Sequence, residues 1–138
     1  MEESLELFEK SSTDPKLFSP LVLAFLGDAV YELIVRSMLV NKANKPVNKL
    51  HKESSSFANA KKQAKFAQIL FEHLSEEELR IYKRGRNTHS HSVAKNASIG
   101  DYRQATGFEA LLGYLYLQER HDRIKELICI CLKEKGES

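Results

Sequence analysis

An all-α fold is what this sequence predicts, and three observations carry the prediction. Apolar residues recur at steps of three and four along most of the chain, no useful length alternates apolar with polar residues, and capping pairs stand where helices would begin. About five or six helices fit into 138 residues, and a chain of this length is expected to form one domain, residues 1–138. Of those residues 42% are hydrophobic, enough for a core that needs no disulfide or metal staple. No tract rich in Pro and Gly points to a disordered or fibrous chain.

The longest apolar run spans residues 20–40. Ser19 followed by Pro20 reads as an N-cap and a first helical residue, because proline lacks an N–H that would be unpaired there in any case. The length would suit a membrane span, but Asp28, Glu32 and Arg36 interrupt it and each is expensive in hydrocarbon, so a buried helix and no membrane are expected. Those three residues are successive i, i+4 neighbours and form one polar stripe on a helix otherwise apolar all round.

Asn44-Lys45-Pro46 breaks the chain. From about Asn48 to Leu74, the residues Phe57, Ala60, Ala64, Ala67, Phe71 and Leu74 define one helical face, which Ser54-Ser55-Ser56 is expected to kink or divide. Ser75 with Glu78 is a capping box for a short helix that Gly85 would end. Residues 87–100 are small, polar and without period, and loops of that length are often functional. Asp101 with Gln104 would cap the next helix, through Phe108, Leu111, Leu112, Leu115 and Tyr116. Ile124, Leu127, Ile128 and Cys131 line one face of a last helix.

The net charge of +2 hides a segregated pattern. Residues 42–65 hold seven Lys against Glu53 alone, and residues 80–103 hold six Lys and Arg against Asp101 alone, whereas acids gather in residues 1–14 and at Glu76, Glu77 and Glu78. A basic surface split over two segments suits a polyanionic partner, although a merely solvated face has the same composition. Cys129 and Cys131, two residues apart in a helical pattern, point to different sides and make a poor disulfide or metal clip. With a Glu-rich N-terminus in place of a secretory leader, a reducing cytoplasmic location is expected.

Two carboxylates lie inside the two most apolar helices. Asp28 is central in residues 21–40, and Glu109 is the only charge between Arg103 and Glu119. Ionised carboxylates are rarely buried unless paired or metal-bound, so helices that pack together would let the two converge as hard oxygen ligands for Mg²⁺ or Mn²⁺. The plainer alternative pairs Asp28 or Glu32 with Arg36 and turns Glu109 to solvent. Ala24, Gly27, Ala105, Thr106, Gly107 and Gly113 flank these acids, and small side chains let backbones approach closely. Lys83-Arg84-Gly85-Arg86-Asn87, with His51-Lys52 and Lys95, offers donors for phosphate and sugar oxygens. His89 and His91 have no Cys or further His at ligand spacing, which argues against zinc.

These residues also resemble a known family. Leu23-Ala24-Phe25-Leu26-Gly27-Asp28-Ala29-Val30 is similar to the signature helix of ribonuclease III, and Thr106-Gly107-Phe108-Glu109-Ala110-Leu111-Leu112-Gly113 to its second acidic motif. With no room for a double-stranded-RNA-binding module, and with His51-Lys52, the 83–87 cluster and Tyr102-Arg103 in place, the chain resembles the bacterial Mini branch of that family over nearly its whole length. The resemblance implies a homodimeric endoribonuclease that cuts double-stranded RNA with a divalent metal, with precursor large-subunit (23S) ribosomal RNA as typical substrate. It places Asp28 and Glu109 on the essential acids and Phe25 on the phenylalanine that inserts into the partner subunit. The family's other glutamate and aspartate would stand at Ala24 and Thr106, so four acids are reduced to two, which weakens a symmetric two-metal scheme. The competing readings are a non-catalytic helical RNA-binding or ribosome-assembly protein, and a helical adaptor for proteins with no salt-sensitive RNA binding.

Overall fold

The three-and-four periodicity resolves into six helices. The computed structural model describes residues 12–88 and 98–134, and the helices among them are α1 (Pro20–Lys42), α2 (Val47–Phe57), α3 (Ala60–Leu70), α4 (Glu76–Arg86), α5 (Ile99–Leu117) and α6 (His121–Glu134). Two 3-10 turns, Pro15–Leu17 and Phe71–His73, complete the regular structure, and the described residues include no strand. The all-α fold read from the sequence is the fold observed. None of the helices is long and apolar enough to cross a membrane.

α5 is the axis of the molecule. It packs against α1, α3, α4 and α6, and nearly every side chain from Ala105 to Leu115 is buried. Phe108 at its centre meets the Tyr31 ring edge-on, with centroids 5.3 Å apart, and the Phe66 ring at 6.2 Å, so α1 and α3 are clamped to the same aromatic residue. The Tyr31 hydroxyl completes the join by donating to the Phe57 carbonyl at 2.8 Å, where α2 ends. α6 closes the bundle with Ile124, Leu127, Ile128 and Cys131, the four residues its periodicity named, and burial pushes the Cys131 thiol up to about 12. Cys129 is exposed on the other side of that helix, and neither cysteine is in a disulfide.

The helix starts follow their capping chemistry. Ser19 Oγ accepts from the Leu21 N–H ahead of Pro20, and the Ser75–Glu78 capping box is complete in both directions. Elsewhere the structure corrects the sequence reading. The break between α2 and α3 falls at Ala58-Asn59, after the serines, because Asn59 caps α3 through the Lys62 N–H while its amide holds the end of α2. The α3 seam is accordingly Gln63, Ala64, Phe66, Ala67 and Leu70, which leaves Phe71 exposed in the following turn. Gly85 does not end α4 but lies buried inside it, where a Cβ would press on Gly107 and Ala110 of α5. Ser98, not Asp101, caps α5; Asp101 sits three residues into the helix and donates its N–H to the Ser98 hydroxyl. α1, expected to be buried all round, buries only the face of Leu23, Ala24, Gly27, Tyr31, Val35 and Leu39. Among the described residues no element covers the opposite side, and Val22, Phe25, Leu33 and Val40 stand exposed on it.

Candidate active site

The geometry of the candidate site begins with two glycines. A Cβ on Gly27 of α1 would run into the Glu109 carbonyl oxygen and come within 2.9 Å of the Gly113 nitrogen, and a Cβ on Gly113 of α5 would run into the Leu23 carbonyl oxygen. The two helices therefore touch backbone to backbone, which only residues without a side chain permit. Asp28 follows the first glycine and Glu109 lies one turn before the second, so this crossing sets their carboxyl groups face to face.

The two acids then perturb each other. Burial first, and the Asp28 charge and a hydrogen bond shared with Asp28 next, push the Glu109 carboxyl up to about 8. Burial and a like charge within hydrogen-bond reach both disfavour the ionised form of Glu109. Gln63, buried on α3, donates its Nε2–H to Glu109 Oε2 at 3.2 Å and fixes that carboxyl from the third side. Glu109 thus does not turn to solvent. Glu32 pairs with Arg36 at 3.0 Å along α1, the i, i+4 pairing that the polar stripe suggested.

A model of the ribonuclease III domain matches residues 21–120, a stretch that contains both acids and both glycines. The chain belongs to the ribonuclease III family. Within it, the chain is 47% identical to a Mini-ribonuclease 3 of Clostridium tetani, over 94% of this chain and 87% of that one, and 52% identical to a Mini-ribonuclease 3 of Brevibacillus brevis, over 87% and 90%. A crystal structure of a protein from Fusobacterium nucleatum superposes with a TM-score of 0.80 at 33% identity, covering 88% of this chain and 99% of that one. The resemblance to the Mini branch of the ribonuclease III family read from the motifs is therefore upheld.

At the positions where other ribonuclease III proteins were expected to carry two more acids, this chain has Ala24 and Thr106, both buried. The Thr106 hydroxyl donates to the Tyr102 carbonyl of its own helix at 2.9 Å, so it faces the α5 backbone. Among the described residues, no three or more of His, Cys, Asp and Glu form a metal-binding group. What stands here is a pair of carboxyls with one amide. Sequence reasoning passed over Gln63. Its signal was a polar side chain on the buried seam of α3, legible only once Phe66 and Leu70 are seen to set that seam.

The basic residues separate into three groups. His51 and Lys52 are exposed on α2. Lys83 is exposed on α4 with its ammonium over the Phe71 ring, Arg86 lies over Tyr82, and the Arg86 Nε donates to Asn87 Oδ1 at 3.3 Å. Arg84 is committed elsewhere: its guanidinium donates to the carbonyls of Lys16 and Phe18, tying the segment before α1 to α4, which leaves it less capacity for a phosphate. Lys95, His89 and His91 lie outside the described residues, as does most of the 87–100 loop. Phe25, 83% exposed, projects from the uncovered face of α1. Beside that face is a groove of about 290 Å³ lined by Leu26, Val30, Ile34, Tyr116, His121 and Ile124, among others.

Proposed function

We propose that this protein is an endoribonuclease that cleaves double-stranded RNA by metal-dependent hydrolysis, with precursor large-subunit ribosomal RNA as its substrate. The observation that carries the reading is the convergence of Asp28 and Glu109 at a glycine-glycine helix crossing. Two facing carboxyls, one of them largely buried and pushed up by the other, form an unfavourable arrangement that a divalent cation relieves. The donor set fits such an ion: hard oxygens, few in number, and open to water on the exposed Asp28 side, which suits Mg²⁺ because it keeps several waters and takes one or two carboxylates. Mn²⁺ fits the same donors. When bound, the ion supplies a more acidic water and neutralises charge on the phosphate oxygens.

The remaining work falls to the chain itself. Asp28 and Glu109 hold the ion, and the Gln63 amide keeps the Glu109 carboxyl in one orientation, as pre-organisation requires. His51, Lys52, Lys83, Arg86, Asn87 and Lys95 bind phosphate and sugar oxygens, with a smaller contribution from Arg84. Recognition is of A-form shape, since the deep, narrow major groove of RNA admits few side chains. The uncovered apolar face of α1 is the contact between two copies, with Phe25 inserting into the partner; exposure of Val22, Phe25 and Leu33 on one stripe supports this.

The test is cleavage of a duplex RNA by wild type and Asp28→Asn, each with Mg²⁺ and with a chelator. Wild type should cut only with the ion. Asp28→Asn should bind RNA with nearly intact affinity and cut about 10³-fold more slowly, since loss of a ligand removes several kcal/mol at about 1.4 kcal/mol per decade. Full cleavage by Asp28→Asn, or chelator-resistant cleavage by wild type, refutes the proposal. RNA binding with no cleavage under any condition would favour the non-catalytic reading.

A further inference from the structure

A second recess lies along the same helix seam. Gln63 of α3 meets Glu109 of α5, and five residues further along α3 Gln68 donates to Gln104, five residues back along α5, at 3.1 Å. The helices run antiparallel in this register, so the second contact is displaced from the first by about 7.5 Å along the helix axis at ~1.5 Å per residue. Around it is a cavity of about 440 Å³ lined by Gln68, Phe71, Tyr82, Arg86 and Gln104. It is a recess open to solvent rather than an enclosed pocket.

The lining has a particular chemistry. Phe71 is 44% exposed although it is aromatic, and its ring stands edge-on to the buried Tyr82 ring at 6.3 Å. Arg86 lies over Tyr82, and the Lys83 ammonium lies over Phe71 at 5.9 Å. Two carboxamides, which both donate and accept, face them across the recess. An exposed ring flanked by cations, with amides opposite, is the set of groups that holds a base by stacking, its edge by hydrogen bonds and its phosphate by charge. The displacement from Glu109 along the helix axis is about two base steps of a strand at ~3.4 Å each.

We propose that this recess binds one unpaired nucleotide of an RNA, stacked on Phe71 and hydrogen-bonded by Gln68 and Gln104, so that the protein prefers duplexes with a bulged nucleotide near the cleavage site. The inference rests on the reading that the substrate is RNA. It adds a site on the α3–α4–α5 face that is separate from the carboxyl pair. A base in a continuous stack cannot enter the recess, whereas a bulged base needs little energy to leave its helix.

The test uses two RNA hairpins that differ by one bulged 2-aminopurine, in buffer with chelator so that neither is cut. Anisotropy gives the affinity for each, and 2-aminopurine emission reports stacking. Wild type should bind the bulged RNA about ten-fold more tightly and quench its emission, as stacking on one aromatic ring provides. Phe71→Leu, which keeps an apolar side chain in place, and Gln104→Ala should each lose the preference and the quenching while binding the paired hairpin as before. Equal affinity of wild type for the two hairpins overturns this inference alone, as does a preference that survives both substitutions. Failure to bind either hairpin overturns both this inference and the reading beneath it.

Discussion

Replacing Glu109 by Gln should make the metal-free protein more stable, which is an unusual outcome for a polar residue packed among helices. The folded chain holds the Glu109 carboxyl at about 8 against an ordinary 4.5. That difference corresponds to at most about 5 kcal/mol, the ceiling on what the charged form costs in the fold. Burial is the larger cause and the Asp28 charge the next; Asp28 is exposed, so water screens its part, and about 1–3 kcal/mol is the expected gain. The sign follows from linkage. With a folded value above the unfolded one, the contribution of Glu109 to stability is fully present below pH 4.5 and is lost as pH rises through 8. In Glu109→Gln the amide can still accept from Gln63 and can donate to Asp28, and it does not titrate. Thermal melts in chelator should therefore coincide near pH 4.5 and separate progressively, with the variant roughly 3–10 °C higher by pH 8.5, as expected for a domain of this size. Added Mg²⁺ should raise wild type towards the variant, because only wild type offers both carboxylates. A variant that melts lower than wild type at pH 8.5, or that differs by the same margin at every pH, would falsify the face-to-face placement of the two acids.

Three other outcomes test separate parts of the structure. Burial opposes the charge of Glu78, but its hydrogen bonds from Arg123 and the Ser75 N–H and the charges of Arg123 and Arg120 outweigh it and hold the carboxyl below its ordinary range. This stabilisation is present above pH 4.5 and fades as pH falls, so Arg123→Met should lower stability by about 3–5 kcal/mol at pH 7 and by much less in acid, as read by urea denaturation. Phe25→Ala should weaken self-association in sedimentation by ten-fold or more, about 1.4 kcal/mol or above, because an exposed aromatic anchor is removed; an unchanged monomer–dimer equilibrium would place the contact elsewhere. RNA affinity should fall with salt at a log-log slope of about −3 to −4 for some four phosphate contacts, the number left when Arg84 is held by backbone carbonyls. A slope near zero would remove the basic segments from recognition.

How much of this was legible beforehand depended on whether the deciding force was local. The caps at Ser19 and Ser75 and the face of α6 follow from hydrogen bonds and periodicity within one turn or two, and the structure has them where the sequence put them. The errors came where a tertiary contact overrode a local preference or where a neighbouring residue made the better cap. Gly85 reads as a helix stop, yet α4 continues through it because α5 comes too close for any side chain there. Asp101 reads as a cap, but Ser98 is three residues upstream and its hydroxyl reaches the Asp101 N–H. Residues 20–40 read as a buried helix with one polar stripe, and periodicity alone does not say which of the apolar sides another helix covers. Asp28 and Glu109 were legible as isolated acids in apolar helices. Their partner Gln63 was not, since an amide between two alanines and a phenylalanine gives no signal until the α3–α5 register is known.

The α1–α5 crossing explains why the two acids come together. Gly27 and Gly113 bring the α1 and α5 backbones into contact, and this contact, not a longer series of acids, brings Asp28 to Glu109. At so close a crossing, the positions facing it must be small. Ala24 and Thr106 are buried where two more acids were expected, and additional charges there would be surrounded by protein without further partners. Gln63 orients the Glu109 carboxyl from α3 without adding a third negative charge beside the pair. The small residues, the missing acids and the buried amide are thus one solution to a single constraint: two carboxyls must be held face to face by helices that also have to fold around them.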